Sequence, residues 1–255
     1  MGSGPPDLTP VLSPPQKNRT SGVWSRGPDP IFSMQIESTL FSESGFAIIR
    51  PLFEDLDSSL EPLMIAGAGA RDLLDEAWCA DLARRIGKHS LIAPLLPPDP
   101  VAVQCTFFQK STGQNWLVPM HQDLSIPVRA RIDHESLSGW SDKDGMLFVQ
   151  PPDEVLDQLV AVRLHIDACG LEDGPLRVVP GSHVSGRLSV AEAQQTRERS
   201  GETPCEVSQG GALVIKPLLL HASSKASGQS RRRVLHFVFG PRRLPCGLAW
   251  RTAVE

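Results

Sequence analysis

The sequence predicts a mainly β fold with flanking helices, in the form of an antiparallel sandwich or barrel that carries a helical layer. Two observations predict it: helical periodicity comes early in the chain, and short apolar runs separated by Pro, Gly and Asp follow from residue 120 onward. The expected helices are 36–43, 70–87 and a polar one near 190–200. The expected strands are 45–50, 101–109, 145–149, 158–167, 176–179, 212–219 and 232–239.

The composition fits one globular domain with a sizeable core. The chain has 255 residues, of which 40% are hydrophobic, and a formal net charge of −4. This hydrophobic fraction excludes a wholly disordered chain, and the mild acidity argues against a protein held on nucleic acid by phosphate contacts. Apolar runs such as 212–220 are too short and too interrupted to cross a bilayer. We therefore expect neither nucleic-acid nor membrane partners.

The first 33 residues differ from the rest of the chain. They contain seven Pro and four Gly among Ser, Asn and Thr, with little periodicity. This composition predicts a disordered tail or an artificial extension over 1–33, followed by one domain over 34–255. The five cysteines are widely spread and form no CxxC pair, which predicts reduced thiols and a cytoplasmic location.

Residues 120–123, Met-His-Gln-Asp, carry the most informative polar pattern. In a strand, residues i and i+2 point to the same face, so His121 and Asp123 can meet one metal ion. An imidazole and a carboxylate suit Fe(II), Mn(II) or Zn(II). Such triplets also arise by chance, and a surface turn is the alternative interpretation.

A second histidine strengthens the metal interpretation. His221 lies 98 residues after Asp123, at the end of the apolar run 218–220. Two His and one carboxylate on a β scaffold form the facial triad of non-heme Fe(II) oxygenases, which leaves coordination positions open for oxygen and a cosubstrate.

Three consecutive arginines, Arg231, Arg232 and Arg233, open the last predicted strand. An arginine that projects into the cavity would hold a carboxylate through two parallel hydrogen bonds. Strand alternation does not choose among the three, because both faces of this strand are apolar enough to be buried. A solvated basic turn is the alternative.

These pieces together resemble the phytanoyl-CoA dioxygenase family of Fe(II)/2-oxoglutarate-dependent oxygenases, especially its short bacterial-type members. The resemblance covers roughly residues 40–252 and is most specific in GPLRVVPGSH joined to a downstream His-Ala-Ser and Arg. The matching segments are 108–113 (FQKSTG), 115–116 (NW), 120–124 (MHQDL), 149–152 (VQPP), 164–167 (LHID), 174–183 (GPLRVVPGSH), 217–223 (PLLLHAS) and 232–236 (RRVLH).

The resemblance implies a double-stranded β-helix, or jelly roll, with a defined set of site residues. It implies that His121, Asp123 and His221 bind iron, and that Arg232 takes the distal carboxylate of 2-oxoglutarate. Further residues implied near the cosubstrate are Ser223, Gln104 and Lys110, with Asn115 and Trp116 at the pocket rim.

Four other residues are interpreted from their sequence context. Trp140, which follows the HxD motif in an expected long loop, is either a substrate contact or a hydrophobic plug. His183 is interpreted as structural and His236 as a core histidine, while His165 faces either the cavity or solvent.

The resemblance also implies the reaction, in which O2 and 2-oxoglutarate give succinate, CO2 and hydroxylation of an unactivated C–H of a small molecule. Asp123 favours hydroxylation, or a variant such as desaturation, over halogenation, because related halogenases lack this carboxylate. The alternative is a cupin-like metal protein, an isomerase, hydrolase or sensor, that does not use 2-oxoglutarate.

Overall fold

The computed structural model describes residues 11–12, 38–53, 69–113, 115–228 and 231–255. Most of the predicted tail, 1–33, lies outside these ranges. Within it, Val11–Leu12 (β1) forms a short strand that pairs in parallel with Phe46–Ile49 (β2). The division at residue 33 therefore stays a prediction.

Strands dominate the described residues, and four helices accompany them. The remaining strands are β3 Gly69–Ala70, β4 Pro100–Lys110, β5 Val118–His121, β6 Ile126–Pro127, β7 Ser138–Lys143, β8 Met146–Gln150, β9 Val160–His165, β10 Leu176–Val178, β11 Thr203–Cys205, β12 Ala212–Ile215, β13 His221–Ser223 and β14 Arg232–Pro241. The helices are α1 38–44, α2 Ala77–Gly87, α3 Asp153–Leu156 and α4 Val190–Ser200.

The strands form two facing sheets and a smaller third sheet. The larger sheet has the order β1-β2-β12-β9-β14-β4-β3, the facing sheet β11-β10-β13-β5, and the third β6-β8-β7. Leu213 and Ile215 of β12 pack against Leu176 and Val178 of β10, so an apolar layer joins the two main sheets. This is the predicted jelly roll, and the cavity described below opens between the same two sheets.

The other face of the larger sheet is covered by α2. Val214 of β12 belongs to the same buried cluster as Leu82 and Ile86 of the helix. The strand is therefore buried on both faces, which explains its continuous apolar sequence. Within the described ranges, no helix is long and apolar enough to cross a membrane.

Three predicted elements differ from the structure. The helix expected over 70–87 begins only at Ala77, because Gly69–Ala70 pairs with β4 and Leu73–Asp75 is a 3-10 turn. The strand expected over 212–219 ends at Ile215, just before Lys216-Pro217; Pro cannot donate to a central ladder. Trp140, expected in a loop, lies in β7, whose hairpin turn uses Asp144 and Gly145 at positive φ.

Candidate metal centre and its cavity

Three predicted ligands meet between β5 and β13. His121 ends β5, His221 begins β13, and the two are direct cross-strand partners, with ring centroids 4.2 Å apart. Asp123 places one carboxylate oxygen 3.7 Å from Nε2 of His121 and the other 3.7 Å from Nε2 of His221. One ligand atom from each residue falls within 4.8 Å of the others, as binding of a single metal ion requires.

The backbone orients both imidazoles. Nδ1 of His121 lies 2.9 Å from the carbonyl oxygen of Pro119, and Nδ1 of His221 lies 2.8 Å from that of Leu219. A carbonyl oxygen only accepts hydrogen bonds, so the proton sits on Nδ1 and the Nε2 lone pair points to the centre of the triad. Each histidine is thus fixed by the residue two positions earlier in the chain.

Asp123 is placed by a loop rather than by a strand. Strand β5 ends at His121, so the strand alternation that predicted a shared face is not the reason for the geometry. Instead, the Asp123 N–H donates to the carbonyl oxygen of Pro217 at 2.9 Å. The side-chain amide of Gln122 donates to the carbonyl oxygens of Gly186 and Leu218, at 2.8 and 2.6 Å, and anchors the loop to both segments.

The electrostatics keep this donor set ready for a cation. Burial lowers the pKa of His221 to about 4, with Asp123 acting in the opposite direction, so the ring is neutral near pH 7. Burial alone would raise the pKa of Asp123, but the surrounding histidines and Arg163 outweigh it and lower the pKa. Imidazole nitrogens and an ionised carboxylate are the ligands expected for Fe(II), so the residues fit this metal.

A second predicted group lies on the opposite sheet, where Arg232 and Lys110 are cross-strand neighbours on β14 and β4. Both are buried, with 5% and 1% of their surface exposed. The Lys110 amine donates to Ser223 Oγ at 3.1 Å and to the Ser224 carbonyl oxygen at 2.6 Å, and Arg232 donates to the Gly174 carbonyl oxygen.

These two cations lack a compensating charge in the part of the chain that the structure describes. No carboxylate pairs with Arg232 or Lys110 there, and Arg232 Nε is buried without a hydrogen-bond partner. Burial, reinforced by the positive charge of Arg232, lowers the pKa of Lys110 to about 8. Like charges opposite each other in a sheet are unfavourable, so this arrangement fits an anionic ligand such as the distal carboxylate of 2-oxoglutarate.

The structure distinguishes among the three arginines that the sequence left open. Arg232 lies on the wall of the cavity. Arg233 faces the other way and holds Asp167 through two hydrogen bonds, at 2.8 and 2.7 Å. Arg231 precedes the strand. Among the described residues of the cavity wall, Arg232 is thus the member of this trio that is present.

Some of the remaining predicted residues line the cavity, and others hold neighbouring segments in place. The cavity has a volume of about 460 Å³, and Gln104, Trp116 and Ser223 are part of its wall. Asn115 instead exchanges two hydrogen bonds with the backbone of Ala226, at 2.7 and 2.8 Å. Trp140 packs against a hydrophobic cluster and is not among the described residues of the wall, in keeping with the hydrophobic plug.

The three other histidines have separate environments. His183 Nε2 lies 3.0 Å from the carbonyl oxygen of Ser42, so it joins the segment before β2 to the turn after β10, as a structural residue does. His236 is buried, and burial followed by the charge of Arg163 lowers its pKa to about 3. His165, left open between cavity and solvent, is 3% exposed, so it does not meet solvent.

Sequence reasoning did not assign Arg163 a role in the site. Arg163 lies on the cavity wall, and its Nη1 is 3.0 Å from His236 Nδ1. The available signal was its alternation with Val162 and Leu164 in a strand, which left its face undecided. Arg71 and Lys143, also on the wall, come from segments far apart in sequence and gave no signal.

A jelly roll that brings two His and one carboxylate together beside buried cations has the architecture of a non-heme iron oxygenase. The family model described as phytanoyl-CoA dioxygenase (PhyH) matches residues 61–234, more than half of the chain. The chain belongs to this family of Fe(II)/2-oxoglutarate-dependent oxygenases. A comparison with curated proteins gives no match.

Solved structures with the same fold share little sequence with this chain. HygX from Streptomyces hygroscopicus, with nickel and 2-oxoglutarate bound, is 20% identical, with a TM-score of 0.53, covering 80% of this chain and 85% of HygX. The epimerase SnoN, with Fe3+, alpha ketoglutarate and nogalamycin RO, is 12% identical, with a TM-score of 0.65, covering 86% of this chain and 88% of SnoN. The carbocyclase SnoK from nogalamycin biosynthesis is 15% identical, with a TM-score of 0.58 over 86% of each chain.

Proposed function

We propose that the chain is an Fe(II)/2-oxoglutarate-dependent dioxygenase that hydroxylates an unactivated C–H of a small molecule. In the balanced reaction, the substrate, O2 and 2-oxoglutarate give the hydroxylated product, succinate and CO2. One observation carries the proposal: a metal-type triad faces the buried Arg232 across a single cavity, and Arg232, like its cross-strand neighbour Lys110, has no carboxylate partner among the described residues.

The residues have separate roles in this proposal. His121, Asp123 and His221 hold Fe(II), while Arg232 and Lys110 bind the distal carboxylate of 2-oxoglutarate, with Ser223 positioning the Lys110 amine. The bound iron and cosubstrate supply oxygen activation, which protein side chains lack. Gln104, which the resemblance implied near the cosubstrate, pairs with Val238 rather than Arg232; we propose that it contacts the substrate instead.

The protein contributes positioning and exclusion of water. Apolar walls formed by Phe108, Val103 and Leu159 surround the polar groups, and a water-poor cavity strengthens the attraction between the cations and a carboxylate. Hydroxylation is the outcome that we infer from Asp123, since it occupies the position that halogenases leave open. The known structures on this fold include an epimerase and a carbocyclase, so the product must be identified directly.

Anaerobic spectroscopy tests the first step. Metal-free protein is loaded with Fe(II) and titrated with 2-oxoglutarate while the weak visible charge-transfer band of the chelate is recorded. The band is expected for the wild type and for Arg129→Met, an exposed arginine outside the cavity, and is expected to be lost in His221→Ala. Iron binding without a band would instead support the cupin-like metal protein.

A second measurement tests the outcome. With a turned-over substrate, the product should gain one oxygen atom, which comes from 18O-labelled O2, and one succinate should form per product. A product with unchanged composition or two fewer hydrogens would contradict hydroxylation while leaving the cosubstrate assignment in place.

A further inference from the structure

The cavity carries more positive charge than binding of 2-oxoglutarate explains. Its described wall contains one carboxylate, Asp123, and four cationic side chains, Arg71, Lys143, Arg163 and Arg232. The chain as a whole has a net charge of −4, so this concentration of positive charge is local. Arg71 at the rim has a partner in Asp144, which leaves the interior cations to be explained.

Arg163 is the interior cation without an assigned role. It is 8% exposed, and among the described residues it forms no ion pair. Its contacts are His236 Nδ1, at 3.0 Å, and the Phe108 ring, whose centroid is 5.4 Å from the guanidinium carbon. A neutral imidazole and an aromatic face do not neutralise a buried charge, and such a charge is costly unless it is paired. The charge of Asp123 acts on Arg163, but the two side chains form no ion pair, and Asp123 is assigned to the metal.

The backbone of Arg163 also lies at a different register position from the residues assigned to the cosubstrate. It pairs with His236 on β14, whereas Lys110 pairs with Arg232, four residues earlier on that strand. Four strand residues span about 13 Å. Burial and then the positive charge of Arg232 nevertheless lower the pKa of Arg163, so the two guanidiniums belong to one electropositive cavity. The difference in register gives Arg163 a position for a second anion.

We propose that Arg163 binds an anionic group, a carboxylate or phosphate, of the small-molecule substrate. This inference rests on the proposed function and adds a substrate class to it. The size of the cavity restricts that class: ligand pockets range over about 300–1,000 Å³, and the 460 Å³ here must hold both 2-oxoglutarate and the substrate. The expected substrate is a small organic acid or phosphate ester, which Lys143 at the wall would also attract.

Binding of matched probes tests the proposal without turnover. The protein is loaded with Zn(II), as an inert divalent ion, and with 2-oxoglutarate. Hexanoate, hexyl phosphate and the neutral hexanamide are then titrated and followed by ligand-observed NMR. The wild type is expected to bind at least one of the two anions and to bind hexanamide at least tenfold more weakly; the preferred anion identifies carboxylate or phosphate.

Variants assign the effect to Arg163. Arg163→Met is expected to weaken anion binding by about ten- to hundredfold, the range for loss of a charged hydrogen bond. Arg163→Lys should retain part of the affinity, and Arg129→Met should match the wild type. The affinity for 2-oxoglutarate, measured in the same samples, should change by less than about threefold in each variant, and circular dichroism checks that each is folded.

Three results would overturn the inference: hexanamide binding as tightly as the anions, no detectable anion binding to the wild type, or an equal loss of 2-oxoglutarate and anion affinity in Arg163→Met. The last result would assign Arg163 to the cosubstrate. If the wild type fails to bind 2-oxoglutarate, the proposed function fails instead. The probe titration on protein loaded with Zn(II) alone then still decides whether Arg163 binds an anion.

Discussion

Replacing Arg232 with Met should weaken ligand binding, whereas replacing Arg233 with Met should weaken folding, although the two residues are adjacent in sequence. Arg232 points into the cavity without a carboxylate partner in the described ranges, whereas Arg233 holds Asp167 through two hydrogen bonds. Arg232→Met should therefore affect ligand binding, and Arg233→Met should affect folding. The pair is a matched control, because both changes remove one buried guanidinium from the start of β14.

The magnitudes follow from the contacts. Truncating one partner of a buried, hydrogen-bonded charge pair costs about 2–5 kcal/mol, so Arg232→Met should raise the Kd for 2-oxoglutarate about thirtyfold or more. Its ligand-free stability should stay within about 1 kcal/mol of the wild type, because the lost bond to Gly174 is offset by relief of repulsion with Lys110. Arg233→Met removes the cationic partner of Asp167, which keeps only the backbone N–H of residue 233, and should cost about 3–5 kcal/mol.

Thermal unfolding with Zn(II), with and without 2-oxoglutarate, measures both effects. At a ligand concentration one hundred times the wild-type Kd, the wild type gains about 2.7 kcal/mol, or about 5–11 °C in Tm for a chain of this size. The gain for Arg232→Met should fall below about 1 kcal/mol, whereas Arg233→Met should start from a lower Tm and keep the full gain. A full gain in Arg232→Met together with a lost gain in Arg233→Met would refute the assignment of the two arginines.

Three further predictions concern pH dependence and stability. The pKa of ligand-free Lys110 is about 8, and its charged form attracts a carboxylate. The Kd for 2-oxoglutarate should therefore be constant below about pH 7 and rise above pH 8. Calorimetry across this pH range checks the prediction, and Lys110→Met should remove the pH dependence. Gly45→Ala should destabilise the fold by more than about 1–2 kcal/mol, because Gly45 has φ +80° and a Cβ would lie 2.5 Å from His183 Nδ1. The control Gly247→Ala, at φ +72° with no atom near the new Cβ, should lose only the stability that the positive φ costs. If both variants lowered Tm equally, the contact with His183 would not contribute. Ser189→Ala removes the cap of α4 and should cost about 1 kcal/mol in denaturant unfolding, with no change in 2-oxoglutarate affinity.

The residue types of the metal site were predictable from sequence, but its local geometry was not. His121, Asp123 and His221 carry recognisable chemistry at any backbone conformation, so a jelly roll that brings them together makes a site. The fixed position of Asp123 depends instead on its bond to Pro217 and on the Gln122 amide. These contacts join segments nearly a hundred residues apart, which a local pattern does not reveal.

Residues on strands with two buried faces were the hardest to assign. Strand β14 is buried throughout most of its length, so alternation of apolar residues did not separate Arg232 from Arg233. Arg163 on β9 presented the same ambiguity, since a polar face of a strand fits solvent as well as a cavity. Trp140 was misplaced for a different reason, because the Asp144-Gly145 turn converts the expected loop into a hairpin.

The proposed ligand contacts come from opposite sides of the sandwich. The metal ligands lie on or next to β5 and β13, whereas Arg232 and Lys110 lie on β14 and β4 of the larger sheet. A bound 2-oxoglutarate would therefore act as a molecular clamp, so that separating the sheets would mean breaking its contacts on one side. Amide hydrogen exchange should then slow in both sheets upon binding, including at positions that do not touch the ligand.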